Sequence, residues 1–430
     1  MITIKKVGRF GVFENVIDSK LEQVLFDKLS YTRQGAQFMP NPQWGVVRFY
    51  NKRKRCFPWG LLSIVEDILE QWEKYSREEY SIMRDTTVLK LDEYYKNNSQ
   101  LREYQKQAIE RLLENHGGIL SIPTGGGKTL TTICYLQSRI YDKALILVPT
   151  RDLVYQWQKE LGMFMRLKTC VYTYQYMMRH KEKLNEFDVV VMDECHHVPS
   201  KQIYQIAMSC SSATMIGLSA TPFRADGEDM KIRAALGDIV YKITIEDLQK
   251  QGYLTHVKIL ISPIDKIKLE PWDDYIDVVD KCIIHNSNRI LSICNLVNYH
   301  ASKPCLILVD KIEHGTILNN AIKDSIFIHG QSVNRKQLLQ DVFDEKHQVV
   351  IATKIYGEGV NIPCLKSLIL AGGGKSCVKI LQEIGRILRL FKDKSTAYIY
   401  DFANEEKYLK EHFKERLKIY ETNKFETVWL

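Results

Sequence analysis

The stretch Ser121-Ile-Pro-Thr-Gly-Gly-Gly-Lys128-Thr129 decides the fold of this chain. A short apolar run precedes it, and residues 130–136 continue it with a helical pattern. A strand, a glycine-rich loop and a helix that opens with Lys-Thr form the context that a phosphate-binding P-loop requires. The alternative, a glycine-rich turn beside a fortuitous Lys-Thr pair, does not account for the elements on both sides. The stretch therefore predicts a nucleotide-binding α/β fold, although Ile122 stands where the strict pattern has Gly or Ala.

The residue types in this loop suit the binding of a triphosphate. Glycines let backbone N–H groups approach phosphate oxygens closely, and the N-terminus of the following helix adds partial positive charge. Lys128 is expected to reach the β- and γ-phosphates, and the Thr129 hydroxyl is expected to ligate Mg²⁺. The predicted nucleotide-binding residues of the loop are Thr124, Gly125, Gly126, Gly127, Lys128 and Thr129.

An acidic pair, Asp193-Glu194, directly follows the apolar run at residues 189–192. Ligands of open α/β sheets bind at the carboxyl ends of the strands, so this pair is expected near the P-loop. Asp193 can hold Mg²⁺, directly or through water, and Glu194 can polarise an attacking water. Two adjacent acids are usually a solvated turn, but an apolar strand before them and a P-loop upstream favour the catalytic interpretation.

The next residues, Cys195-His196-His197, invite a metal-site interpretation. Three consecutive ligands rarely fit one tetrahedral ion, and the sequence has no other Cys/His cluster with ligand spacing. His196 is instead expected beside the γ-phosphate, where it would couple hydrolysis to movement.

Short apolar runs alternate with helical segments through most of the chain. Such runs are typical of central strands in a parallel sheet covered on both faces, and their alternation with helices indicates βαβ units. We therefore predict an α/β protein with two tandem doubly wound parallel-sheet domains behind a small N-terminal α+β domain. The expected boundaries are 1–95, 96–255, 256–403 and a charged helical extension over 404–430. Expected strands include residues 2–4, 44–50, 118–122, 143–148, 187–192 and 215–218, then 304–309, 325–328, 348–352, 366–371 and 396–400.

Composition excludes several classes of protein. With 45% hydrophobic and 26% charged residues over 430 positions, the whole chain is neither disordered nor collagen-like nor a coiled coil. The net charge is +8, and half of it lies in residues 1–90, which fits a polyanionic partner without requiring one. Ten scattered cysteines without a C-x-x-C pair indicate a reducing compartment. No signal peptide and no apolar run of about 20 residues is apparent, so we expect a cytoplasmic protein (host cytoplasm if viral) that makes no use of a membrane.

The motifs resemble those of a known family. Asp193-Glu-Cys-His196 resembles the DEAD/DEAH box of superfamily-two helicases, and further motifs follow in family order over residues 100–401. The resemblance implies that both sheet domains are RecA-like. The further motifs are Leu101-Arg-Glu-Tyr-Gln105, Val148-Pro-Thr-Arg-Asp-Leu153, Ser219-Ala-Thr-Pro222, Ile307-Leu-Val-Asp310 with His329-Gly330, Thr353-Lys-Ile-Tyr-Gly-Glu-Gly-Val-Asn-Ile-Pro363 and Gln382-Glu-Ile-Gly-Arg-Ile-Leu-Arg389.

The resemblance implies a role for each motif, with ATP bound between the two RecA-like domains and hydrolysis driving movement along a strand. Arg386 and Arg389, three apart on a helix, would share a face and act as arginine fingers; a solvated helix face is the alternative. Asn361 stands where relatives commonly carry Asp. The implied residues are Arg102 and Gln105 for adenine; Gly357 and Gly359 for the nucleotide; Gln382 with the two arginines for catalysis; His196, Ser219 and Thr221 for coupling; and Pro149, Thr150, Arg151 and Thr353 for nucleic acid.

The middle of the chain favours DNA over RNA. The segment Asp247-Leu-Gln-Lys-Gln-Gly-Tyr-Leu254 resembles the inter-domain segment of excision-repair helicases, restriction motors and phage branch-migration helicases. The resemblance implies an ATP-dependent DNA helicase that unwinds or branch-migrates forked and Holliday-type DNA in recombination, repair or replication. A duplex translocase of a restriction-type system, an RNA helicase and a nucleotide-dependent switch without motor activity stay as alternatives.

A basic quartet, Lys52-Arg53-Lys54-Arg55, marks the N-terminal domain. It is predicted to form a turn between strands. With Tyr50, Phe57 and Trp59 as flanking aromatics it is a candidate duplex-binding hairpin, because basic side chains neutralise phosphates and aromatics stack on exposed bases. A solvated turn fits the pattern about equally well. DNA that is forked, branched or single-stranded is the expected partner, recombination or replication proteins are compatible further partners, and the sequence leaves the oligomeric state open, a monomer included.

Overall fold

The chain folds into two compact units. The computed structural model describes residues 1–83, 95–96, 98, 100–138, 141, 143–163, 168–211, 213–221, 228–333, 335–353 and 362–430, without the side chains of residues 335, 336, 339, 377–379 and 386. One unit comprises Met1–Ile122 and Gly127–Ile243, and the other comprises Pro123–Gly126 and Thr244–Leu430. The predicted fold class is confirmed, because two parallel-sheet RecA-like domains follow a small N-terminal α+β domain.

The N-terminal domain is built on a mixed sheet. Its elements are β1 (Ile2–Val7), β2 (Phe10–Phe13), α1 (Ser19–Lys28), β3 (Ser30–Thr32), β4 (Val46–Arg48), β5 (Cys56–Pro58), α2 (Leu62–Ser76) and β6 (Tyr80–Met83). The sheet order is β5-β2-β1-β6, and β3 pairs with β4 in a separate two-stranded sheet. Asp18 begins α1, because its carboxylate accepts a hydrogen bond from the Lys20 N–H at 2.7 Å. Apolar residues of both helices pack onto the strands in one buried core.

That core continues into the first RecA-like domain. Ala234 lies in the same buried cluster as Ile4 and Leu69 of the N-terminal domain. The Arg9 guanidinium is buried, donates to the Ala235 carbonyl, and has its pKa lowered by burial. A shared apolar core and a buried polar contact hold the two domains together as one body.

The first RecA-like domain is a six-stranded parallel sheet. Its elements are α3 (Glu103–Glu114), β7 (Gly118–Ser121), α4 (Lys128–Gln137), β8 (Ala144–Val148), α5 (Arg151–Leu161), β9 (Thr169–Thr173), α6 (Tyr174–Arg179), β10 (Val189–Asp193), α7 (Lys201–Ser209), β11 (Thr214–Ser219), α8 (Asp229–Leu236) and β12 (Ile239–Lys242). The strand order is β12-β7-β11-β10-β8-β9. Every residue of β8 and β10 is buried, which explains their continuous apolar sequence.

The second RecA-like domain has a seven-stranded parallel sheet. Its elements are α9 (Ile245–Lys250), β13 (His256–Pro263), α10 (Tyr275–Val279), α11 (Ser287–Asn295), β14 (Cys305–Val309), α12 (Ile312–Ala321), β15 (Ser325–Ile328), α13 (Arg335–Phe343), β16 (Val349–Thr353), β17 (Ser367–Leu370), α14 (Cys377–Ile387), β18 (Thr396–Ala403), α15 (Leu409–Thr422) and β19 (Glu426–Trp429). The order is β15-β16-β14-β17-β18-β13-β19, with the residues of β14 and β16 all buried.

Two elements differ from the sequence prediction. The strand expected over 44–50 is shorter, because Pro42–Gly45 forms a 3₁₀ turn and only Val46–Arg48 pairs as a strand. The helix expected over 404–430 ends at Thr422, and β19 then joins the sheet beside β13. Local turn geometry after Thr422, with Lys424 at a φ of 54°, redirects the chain into that strand.

The described cysteines are free thiols, and seven of these nine are buried. They therefore act as small hydrophobic residues in the cores. None of the helices given above combines the length and the hydrophobicity that a bilayer crossing requires.

Candidate functional site

The P-loop connects β7 to α4, as predicted. Gly125 and Gly127 have φ angles of 85° and 80°, a left-handed region that favours glycine. A Cβ at Gly127 would collide with the Gln105 amide, which donates to the Gly127 carbonyl at 3.3 Å. Glycine is therefore required at this position both by the backbone angle and by the neighbouring side chain.

Ile122, the departure from the strict P-loop pattern, is a buried core residue. Its N–H donates to the Ser219 carbonyl at 3.1 Å and so continues the β7–β11 pairing by one residue. The large side chain is thus accommodated by the core of the first RecA-like domain.

Gln105 links the start of α3 to the P-loop. Its Oε1 accepts from the Arg102 N–H at 2.9 Å, which caps α3, and its Nε2 reaches Gly127. The Arg102 guanidinium donates to the Tyr104 hydroxyl at 3.3 Å. The two residues predicted for adenine are therefore held next to each other, with Gln105 buried and fixed by hydrogen bonds at both ends of its amide.

Lys128 and the acidic pair meet at one edge of the first sheet. The Lys128 Nζ lies 3.9 Å from the Glu194 Oε1, and this buried ammonium has no hydrogen-bond partner among the described residues. Glu194 has a φ of 50°, a left-handed conformation that is uncommon outside glycine and is found at active sites. The predicted lysine and carboxylate are thus adjacent and poorly compensated by the protein itself.

Asp193 is buried and held by three contacts. Its Oδ2 accepts from the Trp157 Nε1 at 2.9 Å, and its Oδ1 accepts from the Glu194 N–H at 2.9 Å. The Tyr174 hydroxyl donates to the Asp193 carbonyl at 2.6 Å. Burial and then the charge of Glu194 raise the pKa of Asp193 to about 6, and the charge of Lys128 opposes that rise. The carboxylate is therefore oriented rigidly in a site that favours a nearby cation.

Sequence reasoning missed Trp157 and Tyr174. Both are buried and lie 36 and 19 residues before Asp193. Trp157 stands on the inward face of α5, where an aromatic is expected in any core. The available signal is its indole N–H, since a buried Trp N–H needs an acceptor.

The residues predicted for coupling form a chain of contacts. The His196 Nδ1 lies 3.4 Å from the Glu194 Oε2 and 3.4 Å from the Ser219 Oγ. The Ser219 Oγ accepts from the Thr221 N–H at 3.1 Å. One path of polar atoms therefore joins the acidic pair to the end of β11. Pro222, the last residue of that motif, lies outside the described residues.

The residues predicted for nucleic acid lie at the carboxyl ends of strands. Thr150 follows β8 and caps α5, because its Oγ1 accepts from the Leu153 N–H at 3.4 Å. Pro149 precedes it and Arg151 is exposed. In the second unit, Thr353 ends β16 with a buried hydroxyl that has no partner among the described residues.

The arginine-finger prediction meets a different geometry. α14 ends at Ile387, so Arg389 lies two residues beyond the helix on which both arginines were expected. The backbone there is fixed by Thr255, whose N–H and hydroxyl donate to the carbonyls of Leu388 and Arg389 at 2.8 and 3.3 Å. Gln382 lies within α14 and is partly buried. The Arg386 side chain, and Gly357, Gly359 and Asn361, lie outside the described part.

The basic quartet is a turn, as predicted, closed by pairing of Asn51 with Cys56. The Lys52 ammonium donates to Gln23 at 2.8 Å and lies 4.4 Å from the centre of the Phe26 ring. Arg53 and Lys54 are exposed, Arg55 is partly buried, and the Lys54 N–H donates to Asn51 at 3.0 Å.

The aromatic part of the hairpin prediction is wrong for two of the three flanking residues. Tyr50 and Phe57 are buried in the core of the N-terminal domain, and Trp59 is partly buried with the Lys6 ammonium 5.6 Å from its ring. Tyr50 and Phe57 are therefore not exposed for stacking on bases. All three residues of β5 are buried, which the basic sequence beside them did not reveal.

Two families match the chain. Residues 98–169 and 165–224 match the family described as type III restriction enzyme, res subunit, and residues 277–391 match the helicase conserved C-terminal domain. The DNA 3′-5′ translocase XPB2 of Sulfurisphaera tokodaii is 25% identical over 361 residues, which cover 71% of this chain and 82% of the relative. The ATP-dependent DNA helicase uvsW of Enterobacteria phage T4 is 24% identical over 481 residues, which cover 94% of each protein.

A solved structure shares the fold. S. cerevisiae Dbp5 bound to RNA and ADP BeF3 has a TM-score of 0.56 at 16% identity, covering 78% of this chain and 91% of that chain. At such low identity the likeness shows the arrangement of the sheets and helices and nothing about the substrate.

Proposed function

Because this chain belongs to the superfamily-two helicases and is an ATP-dependent enzyme that acts on DNA, we propose that it unwinds or branch-migrates forked and four-way DNA. The observation that carries the proposal is the buried Lys128 ammonium beside Glu194, on a P-loop whose glycines leave the backbone free to approach phosphates. The relative from phage T4, which is similar over 94% of both proteins, is named an ATP-dependent DNA helicase.

The residues present fit a nucleotide with Mg²⁺. The Lys128 ammonium is buried without a hydrogen-bond partner among the described residues, and a phosphate oxygen supplies the acceptor it lacks. Thr129 and Asp193 would hold Mg²⁺, since hydroxyl and carboxylate oxygens are its preferred ligands. When bound, the ion neutralises charge on the phosphates.

The chain's own residues then prepare hydrolysis. Trp157 holds the Asp193 carboxylate in one orientation, and the Lys128 Nζ lies 3.9 Å from the Glu194 Oε1. The Glu194 carboxylate can accept a proton from water and orient that water for attack. His196 contacts both Glu194 and Ser219, so a change at the carboxylate can be transmitted to β11. Gln382, Arg386 and Arg389 would add positive charge and polar contacts from the second RecA-like domain.

Binding of the nucleic acid would use the carboxyl ends of β8 and β16. Pro149, Thr150 and Arg151 begin α5, whose N-terminus carries partial positive charge suited to a phosphate. Thr353 would offer its hydroxyl from the second RecA-like domain. We place the protein in the cytoplasm, or in the host cytoplasm if its source is a virus, with recombination or replication proteins as its working partners.

The test is ATP hydrolysis and strand displacement on matched single-stranded, forked, four-way and RNA substrates. We expect stimulation by DNA and displacement of strands from forked and four-way substrates. Lys143→Ala, which changes an exposed lysine paired with Glu186, serves as the control for Lys128→Ala. Hydrolysis that no nucleic acid accelerates, or that only RNA accelerates, contradicts the proposal.

One second candidate is favoured by a specific observation. Residues 98–169 and 165–224 match the family described as type III restriction enzyme, res subunit, which fits the restriction-type duplex translocase that the sequence left as an alternative. A translocase of that kind moves along duplex DNA without separating it. Displacement of a triplex-forming strand from duplex, with no unwinding of forks, would select this candidate.

A further inference from the structure

A flap leaves the N-terminal domain between α1 and β5. We use the name for residues Ser30–Arg48, which comprise β3, β4 and the loop between them. Tyr31 pairs with Val47 in the antiparallel ladder, and the loop contains two 3₁₀ turns, Ala36–Phe38 and Pro42–Gly45. The flap is therefore an ordered projection with its own hydrogen bonds.

Two large aromatic side chains on the flap face solvent. Phe38 and Trp44, one in each 3₁₀ turn, are 85% and 69% exposed. Phe13, Tyr50 and Phe57 are instead buried in the core of the N-terminal domain, and several further aromatics pack against that core. Tyr75, at 73%, is the other strongly exposed ring among the described residues 1–83. Aromatic rings placed in water on a rigid turn lose little entropy on binding and offer a flat face to a planar ligand.

The sequence around these rings is basic and free of acids. Residues 28–65 contain seven Lys or Arg and no Asp or Glu. Arg48 and Lys52 are held over the Phe26 ring, at 4.9 and 4.4 Å from its centre, so two of the cations are positioned in advance. Basic groups beside exposed aromatics match a ligand that presents phosphates and unstacked bases together.

The flap is braced rather than loose. The Tyr31 hydroxyl donates to the Glu228 Oε1 at 3.0 Å, and the Arg33 Nε lies 3.9 Å from the same oxygen. Glu228 directly precedes α8 of the first RecA-like domain. The Lys231 ammonium, on α8, also contacts the Glu228 Oε1 at 2.9 Å. Burial, and then Glu228, raises the pKa of Tyr31, so this hydroxyl stays a donor. The base of the flap is thus fixed to the ATP-binding domain.

The spacing of the two rings is also fixed. A Cβ at Gly45 would collide with the Cβ of Ala36, so the two 3₁₀ turns are packed directly against each other. Gly45 follows Trp44, and Ala36 lies two residues before Phe38. Close packing of these turns sets Phe38 and Trp44 in a constant relation.

We propose that the flap is the strand-separating element of this protein: Phe38 and Trp44 stack on unpaired bases at a DNA fork while Arg33, Arg48 and the basic quartet bind the flanking phosphates. This inference rests on the proposed function, since the flap meets unpaired bases at a junction only if the protein works on forked DNA. The bracing by Glu228 means that movement of the ATP-binding domain moves the flap with it.

The first test measures binding without ATP. A forked oligonucleotide with 2-aminopurine at the junction is titrated with the full chain and with Phe38→Ala/Trp44→Ala. Loss of one base–aromatic stack corresponds to about tenfold weaker binding or more. We expect the fork preference and the 2-aminopurine quenching to be lost, while binding to blunt duplex changes less than about twofold. Trp272→Ala, which removes an exposed tryptophan (77%) from the other unit, is the matched control and should change neither.

The second test measures unwinding. Phe38→Ala/Trp44→Ala should lower fork unwinding by about tenfold, while ATP hydrolysis at saturating single-stranded DNA, where weaker binding no longer limits the rate, stays within about twofold of the parent. Phe38→Tyr/Trp44→Phe keeps an aromatic ring at both positions and should restore unwinding. Unchanged fork binding and unwinding in the alanine variant overturn the flap proposal. Absence of DNA-stimulated hydrolysis in the parent protein overturns the proposed function instead, and the binding test still reports on the flap.

Discussion

The two RecA-like domains share a parallel-sheet fold, but one buried cation in each, Arg416 in the second and Lys128 in the first, is compensated in opposite ways. In the second domain, the Arg416 Nε donates to Asp401 at 2.8 Å and its other nitrogens donate to the carbonyls of Gly374 and Phe402. The Tyr420 hydroxyl and the Phe402 N–H donate to the same carboxylate. In the first domain, the buried Lys128 ammonium lies 3.9 Å from Glu194 and has no hydrogen-bond partner among the described residues.

The difference separates charges that hold the fold from charges that await a ligand. A buried ion pair is tolerated when its hydrogen bonds are complete, and a buried charge without them costs stability. The second domain meets the first condition at Arg416. In the first domain the Lys128 ammonium lacks a hydrogen-bond acceptor among the described residues. We expect a bound group to supply that acceptor. The two kinds of site should therefore respond oppositely to mutation.

The largest effect is expected for the fold-holding charge. Arg416→Met leaves the buried Asp401 without its main partner, so the free energy of unfolding of the second unit should fall by about 3–5 kcal/mol. Denaturant unfolding, followed by hydrogen exchange of β18, measures the loss. Lys414→Met removes an exposed lysine of the same helix and should leave stability unchanged. A fully stable Arg416→Met protein would remove the distinction between the two domains.

The opposite response is expected for Lys128. Lys128→Met removes the positive charge that we propose stabilises the developing phosphate charge, so ATP hydrolysis should fall by about a hundredfold to a thousandfold. The melting temperature should stay the same or rise, because a buried ammonium without a hydrogen-bond partner among the described residues is gone. Lys143→Met is the exposed control. If Lys128→Met destabilised the fold and kept hydrolysis, the ammonium would be structural after all.

The core strands were predictable because each is a continuous buried run. Every residue is buried in four of these strands, β8, β10, β14 and β16. A strand that is buried on both faces appears in the sequence as a continuous apolar run without alternation of polar residues. The P-loop and acidic pair were predictable for a related reason, since strand ends in a parallel sheet converge on one edge. Local pattern and topology therefore suffice for this part of the site.

The other features of the site depend on whether a side chain faces the core or the solvent, and the local sequence pattern does not encode that choice. Tyr50 and Phe57 flank the basic quartet in sequence yet belong to the core, while Phe38 and Trp44 are exposed on turns farther away. Trp157 is a helix residue whose partner, Asp193, comes 36 positions later. Arg389 fell outside the expected helix because α14 ends at Ile387. Each of these outcomes is decided by long-range packing.

A buried histidine of the second domain, His314, should make the stability of that domain depend on pH. The His314 Nε2 has no hydrogen-bond partner among the described residues, and burial, followed by the charge of Arg289, lowers the pKa of His314 to about 4. Between pH 6.5 and 4 the His314 imidazole binds a proton in the unfolded chain but stays neutral in the folded chain. Stability should therefore fall as the pH drops through this range, by at most about 3 kcal/mol from this group.

The measurement is denaturant unfolding of the parent and of His314→Gln from pH 7 to pH 4. The variant carries no titrating group here, so its stability should depend less on pH across that window, whatever its absolute value. Hydrogen exchange of α12 places the effect in the second domain. Equal pH dependence in the two proteins would mean that His314 accepts a proton in the folded state.

The smallest effect expected is at Trp157, and it tests whether the first domain orients its acid as rigidly as the second domain holds Asp401. Trp157→Phe keeps the ring in the core but removes the N–H that donates to the Asp193 Oδ2 at 2.9 Å. A hydrogen bond to a charged group of this kind contributes about 1.5 kcal/mol, so ATP hydrolysis at limiting Mg²⁺ should fall about tenfold. Raising the Mg²⁺ concentration should recover most of the rate, because the carboxylate remains present and only its orientation is lost. Trp272→Phe makes the same chemical change at an exposed site and should leave the Mg²⁺ dependence unaltered. A rate loss that Mg²⁺ does not recover would mean that Trp157 acts through the packing of the domain. A variant identical to the parent would show that Lys128 and the backbone of Glu194 are sufficient to hold Asp193 in place.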